Sequence, residues 1–118
     1  MKRKENSEEL RRKYITRKIL HYTAQIDMGS RTENVLMTLE AFLTAEKEMK
    51  GMKIGNDEAE RAESFFRSEA EYFRNAEDIA RETTWAIEYA ERAMICEETA
   101  ERMKKCQIPE TERRRVKS

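Results

Sequence analysis

The sequence predicts an all-α protein, and three observations carry that prediction. Apolar residues recur at helical spacing through three long segments. The chain of 118 residues holds 3 Gly and 1 Pro, too few punctuators for a protein of many short strands and turns. Charged residues make up 41% of the chain, with 24 bases balancing 24 acids, and this suits the solvated faces of helices rather than a self-repelling coil. Leu, Ile, Val and Phe occupy only 19 of the 118 positions. That is enough for one core, in keeping with about 100 to 200 residues per domain. The arrangement expected is a single domain over 1–108, either a helical hairpin or a three-helix bundle built on a long third helix, and self-associating.

The first helix is expected at about 7–28. Ser7 caps its first amides, and Glu8 and Glu9 suit the positive end of its dipole. Ile15, Ile19, Tyr22 and Ile26 then fall at spacings of 4, 3 and 4, forming one apolar stripe. Gly29 stops it by tolerating a left-handed conformation. The second helix is expected at about 32–50, opened by Ser30 with Glu33 in the form of a capping box. Its face reads Val35, Leu36, Leu39, Phe42, Leu43 and Met49.

Gly51 and Gly55 mark the next connector, and Asn56 or Asp57 is the expected cap of the third helix. From Asp57 to Cys106 there is neither Gly nor Pro, so this helix is expected at about 57–106, a rod of about 75 Å at 1.5 Å per residue. Ala59, Phe66, Phe73, Ala80, Ile87 and Met94 repeat every seven residues along it. Thr83 and Thr84 are its weak point, because β-branched side chains lose freedom in a helix. A break there would convert the chain into a four-helix bundle. Five acid–arginine pairs at i,i+4 (Asp57–Arg61, Glu63–Arg67, Glu77–Arg81, Glu88–Arg92 and Glu98–Arg102) would stabilise the rod by about 0.2 to 0.5 kcal/mol each. Pro109 closes it, and 109–118 reads as a flexible basic tail.

Two shorter helices can cover only part of so long a rod. Its carboxyl half would expose Ile87, Tyr89, Ala93, Met94 and Met103, and an uncovered apolar face marks an interface. These five are the expected oligomer interface, in keeping with symmetric self-association.

The zero net charge conceals a segregation. Residues 1–20 carry eight bases and three acids, 101–118 seven bases and three acids, and 21–100 nine bases and eighteen acids. Arg11, Arg12, Lys13, Arg17 and Lys18 are therefore candidate phosphate contacts. The single tryptophan, Trp85, falls away from the rod's apolar stripe beside Arg81 and Arg92. An exposed aromatic flanked by arginines is the composition of a binding hot spot, so these three are the candidate partner-binding residues. The competing reading is a tryptophan packed on helix 1 or a dimer mate.

Chemistry is expected to be absent. A di-iron bundle needs Glu-x-x-His pairs, and the only histidine, His21, has Lys18 three residues before it. Two cysteines ten residues apart do not make a zinc site, and no glycine loop is present to cradle phosphate. Cys96 and Cys106 read as reduced thiols, and His21 as a partly buried structural residue. No cofactor or metal is expected, and no enzyme activity. No apolar run is long enough to span a membrane and no secretory signal opens the chain, so a cytoplasmic location is expected. The function expected is a helical protein-protein interaction module or adaptor acting as an oligomer and binding a second protein. Nucleic-acid binding through the basic amino-terminal helix and tail is the alternative. A small inhibitor, its acidic surface mimicking phosphates before a nucleic-acid-processing enzyme, is a third.

Overall fold

The computed structural model describes residues 7–107, and all regular structure among them is helical, with no strand among the described residues. The expected tail at 109–118 lies outside the described residues. Four helices run in order: α1 (Ser7–Asp27), α2 (Glu33–Met49), α3 (Asn56–Ile79) and α4 (Trp85–Lys105). The first two have nearly the expected bounds, although their caps differ. Gly29, at φ +95°, ends α1 while the Ser30 amide donates back to the Gln25 carbonyl at 2.9 Å. Thr32 rather than Ser30 caps α2, its Oγ1 accepting from the Val35 amide at 3.3 Å. Gly55 precedes α3 in the cap position expected of Asn56 or Asp57.

The expected rod is broken. Residues 80–84 form a turn, and Thr83 supplies the reason. Its hydroxyl donates to the Ala80 carbonyl at 2.8 Å and accepts from the Trp85 amide at 3.2 Å, so a side chain replaces the helical ladder at the junction. Folding back then covers on α3 an apolar face of α4 that the rod would have left in water.

The α3–α4 hairpin is the most extensive contact in the molecule. Ala62, Ala70, Ala93 and Ala100 are buried in the core with Phe66, Phe73, Cys96 and Met103, and small side chains let backbones approach. Arg74 grips Glu97 with two nitrogens at 2.7 and 3.0 Å, Arg67 reaches Glu101 at 3.2 Å, and Gln107 donates to Glu63 at 2.7 Å. Of the five expected i,i+4 pairs, Glu63–Arg67 forms at 2.7 Å and Glu88–Arg92 only loosely at 3.9 Å. Arg61 instead bonds Glu40 on α2, and Arg102 bonds Glu8 on α1.

The α1–α2 hairpin packs on this unit through an aromatic cluster. Phe42 of α2 meets Tyr14 and Tyr22 of α1 and Phe65 and Phe66 of α3, with ring centroids 5.2 to 6.2 Å apart. Ala41 and Ala45 are buried beside it, whereas Leu36 and Leu43, expected on this face, are exposed. His21 is also exposed, contrary to expectation, and lies 2.7 Å from the Gln25 amide nitrogen.

One end of the bundle is sealed by charge. Arg11 is 1% exposed and donates to Glu48 of α2 at 3.0 Å and to Glu8 at 3.2 Å, while Arg102 of α4 meets the same two carboxylates at 3.5 and 2.7 Å. Arg11, expected to contact phosphate, is thus an internal tie among three helices. Replacing it by alanine strands Glu48 beside a longer contact. We expect Arg11→Ala to lower urea stability by about 2 to 3 kcal/mol, somewhat below the roughly 3 to 5 of a fully buried pair, because Arg102 still faces both acids. Arg102→Ala, removing a 40% exposed side chain, is expected to cost about 1 kcal/mol or less. Equal losses would contradict this assignment.

Candidate functional site

The opposite end is unsealed. Among the described residues, none between 16 and 40 and none between 74 and 92 is fully buried. The core therefore occupies one part of the molecule, and alongside it α1 and α4 leave a crevice of about 330 Å³ between them. Lys13, Arg17 and Lys18 form its α1 wall around Leu10 and Tyr14. Glu88, Glu91 and Arg92 line α4 around Ile95.

Helical periodicity aligns Trp85 with its α4 wall. Trp85, Glu88, Arg92 and Ile95 stand at i, i+3, i+7 and i+10, so they share a face, and Trp85 continues the lining stripe one turn beyond Glu88. It is 59% exposed. On α1, Leu20 continues by helical spacing the stripe of Lys13 and Arg17 and is exposed as well. Of the two residue sets that the sequence suggests, Arg92 from one and Lys13, Arg17 and Lys18 from the other line one space, whereas Trp85, Arg81, Arg11 and Arg12 are not among its lining residues.

The charges there are only partly satisfied. Arg92 lies over the Phe73 ring, 5.9 Å from its centroid, and Lys18 sits 5.7 Å from the Tyr14 centroid. Both are cation–π contacts that hold a cation at an apolar surface. Arg12 and Arg17, both exposed, have no ion-pair partner among the described residues. Arg81 is exposed in the turn.

Near the crevice lies a group of polar side chains, Cys96 fully buried and Tyr14 and Glu69 half-buried. The Tyr14 hydroxyl is buried without a well-formed hydrogen bond, and the Cys96 thiol and Glu69 carboxyl are among its neighbours. Desolvation pushes the Tyr14 phenol upward and the Cys96 thiol to about 12, so Cys96 is inert as a nucleophile. Among the described residues, no group of three or more His, Cys, Asp and Glu is placed to hold a metal ion.

The expected oligomer interface is redistributed by the fold-back. Ala93 and Met103 are fully buried within the chain and Tyr89 stacks on Phe73 at 6.4 Å. Ile87 and Met94 remain exposed. Sequence reasoning missed Leu20 and Glu69. Leu20 was legible as a flank of the α1 stripe, but nothing in the sequence showed that its flank would lack cover.

No described helix is long and apolar enough to cross a membrane. Comparison with protein-family models, with curated proteins and with solved structures finds no match.

Glu69 gives the region a pH signature. Burial raises its carboxyl above the ordinary value of 4.5, while Lys18 pulls it back. The folded state therefore binds the proton more tightly than the unfolded chain, and stability falls as pH rises through the window between the ordinary and the raised value. Glu69→Gln should raise the melting temperature near neutrality, with the gain disappearing in acid below the ordinary glutamate range. A gain that persisted unchanged in acid would show that packing, not desolvation of charge, is responsible.

Proposed function

We propose that the chain is a non-enzymatic helical interaction module that holds a protein partner at the α1–α4 crevice, with Trp85 as the anchor. The observation that carries this reading is the placement of Trp85. The only tryptophan is exposed one helical turn before Glu88, and Glu88 lines a crevice whose walls bring arginine, lysine and glutamate together around apolar side chains. Tryptophan and arginine dominate binding energy where a partner excludes water from them. The mixed charge favours a protein partner, since basic and acidic groups can each be matched across such a contact.

A second reading is favoured by one feature, the exposed bases Arg12, Lys13 and Arg17 on α1. Along a nucleic acid each phosphate they neutralise adds about 0.9 to the logarithmic salt slope. Glu88 and Glu91 stand against it, because they would face the same backbone. The inhibitor reading draws less support. Many acids on the α3–α4 surface are engaged, Glu97 with Arg74, Glu101 with Arg67 and Glu58 with Lys47.

Capture from the native cell with wild-type and Trp85→Ala protein tests the proposal. Trp85→Ala is expected to weaken the partner by about 2 kcal/mol or more with helix content unchanged. If Arg12→Ala with Arg17→Ala instead abolishes binding of a labelled oligonucleotide, and Trp85→Ala changes nothing, the nucleic-acid reading replaces it.

A further inference from the structure

The side of α2 turned away from the core is apolar where a solvated face would be charged. Its buried side consists of Phe42 with the small Ala41, Thr44 and Ala45. On the outward side Leu36, Leu39 and Leu43 stand at i, i+3 and i+7 and form one stripe, of which Leu36 and Leu43 are 48% and 39% exposed. With Glu40 they occupy i, i+3, i+4 and i+7, the set that makes a hole for a side chain of a facing helix. A hollow of about 240 Å³ lies there, lined also by Thr44, Lys47 and Glu58.

The charges beside this stripe are arranged to match a second copy. Glu33, Glu40 and Lys47 recur every seven residues along one flank of it. Glu33 is exposed and has no ion pair among the described residues, Glu40 is held by Arg61 of α3 at 2.7 Å, and Lys47 by Glu58 at 3.0 Å. When two such helices pair antiparallel about a two-fold axis, each flank faces its own counterpart run backwards, so the acid at one end meets the base at the other. The α4 face is different. Ile87 and Met94 are exposed there, but Glu91, Glu98 and Glu101 share their stripe, so two copies would set acids against acids.

We infer that the outward face of α2 is a self-association site whose occupant is α2 of a second copy, packed antiparallel. Leu43 of each chain enters the hole of the other, Leu39 packs beside it, and Glu33 of each comes opposite Lys47 of the other. Glu40 meets its counterpart near the axis, where each is already paired with the Arg61 of its own chain. The charges also select the register. Sliding one helix by seven residues, so that Leu36 fills the hole instead, would set Glu33 against Glu40. A contact between two single helices buries less than the roughly 800 Å² per partner of a standard interface, so the dimer is weak, populated at roughly 10 to 100 μM protein. None of these residues lines the α1–α4 crevice.

Sedimentation equilibrium of the full chain, over a series reaching roughly 500 μM, tests the inference. A species of twice 14.1 kDa is expected to grow with concentration. Leu43→Glu, at an exposed position, should abolish it with helix content unchanged, Leu36→Glu should weaken it, and Ile87→Glu on α4 should leave it as it is. The decisive arm exchanges charges. Glu33→Lys and Lys47→Glu should each weaken self-association by roughly fivefold, because each sets like charges across both rim contacts. In a dimer of one variant with the other, opposite charges meet again at both contacts. Native mass spectrometry of an equal mixture should therefore show the mixed dimer dominating both homodimers. A monomer throughout the series, a dimer that survives Leu43→Glu or is lost with Ile87→Glu, or a dimer with no preference for mixing would each overturn the inference. Neither result bears on partner capture through Trp85, which the Trp85→Ala comparison reads separately.

Discussion

The rest of the structure depends on the seam between α3 and α4. Alanines at positions 62, 70, 93 and 100 bring the two backbones together around Phe66, Phe73, Cys96 and Met103, and arginine–glutamate bonds lace its edge. The chain has too few large apolar residues to fill a four-helix core along its whole length. It places them at one end of a close-packed hairpin and lays α1–α2 across that end. Arg11, buried between Glu8 and Glu48, supplies with hydrogen bonds what the apolar content does not. Such a tie is costly to break and sets the position of three helices, although a well-packed apolar substitute can be as stable.

From that shortage comes the geometry of the crevice. Beside the core, side chains of α1 and α4 line a crevice instead of closing over one another. Its bases come from the amino-terminal helix and its acids and arginine from α4. Trp85 points along the core-facing stripe of α4 but lies one turn beyond the cover. This gives a physical reason for an exposed tryptophan: the position is core by direction and surface by height.

How much of this was legible in the sequence depended on whether a local rule or a distant contact decided each feature. The first two helices could be bounded closely because Gly29 and the Gly51 connector end them locally. The break at 80–84 could not be ranked above continuity, since the seven-residue repeat through Phe73, Ala80 and Ile87 runs across it without Gly or Pro. Only the two threonines signalled it. Arginine pairing was ambiguous for a different reason. Arg61 and Arg102 each have an acid four residues earlier, yet their long side chains choose Glu40 and Glu8, which no helical spacing encodes. The burial of Arg11 likewise rests on Glu48, 37 residues away. Trp85 stood out in the sequence by its offset from the rod's stripe, but the stripe itself belongs to a different arrangement of helices.

The central claim is that the bundle is sealed at one end and open at the other. Hydrogen exchange at residue resolution tests it most directly, because local opening and global unfolding are separated amide by amide. Amides of Phe66–Phe73 and Ala93–Met103 should exchange slowest, at the rate set by global unfolding, while those of Lys18–Asp27 exchange through smaller openings. Protection of Lys18–Asp27 equal to that of the seam would mean that this end of the bundle is closed in solution, and the claim would fail.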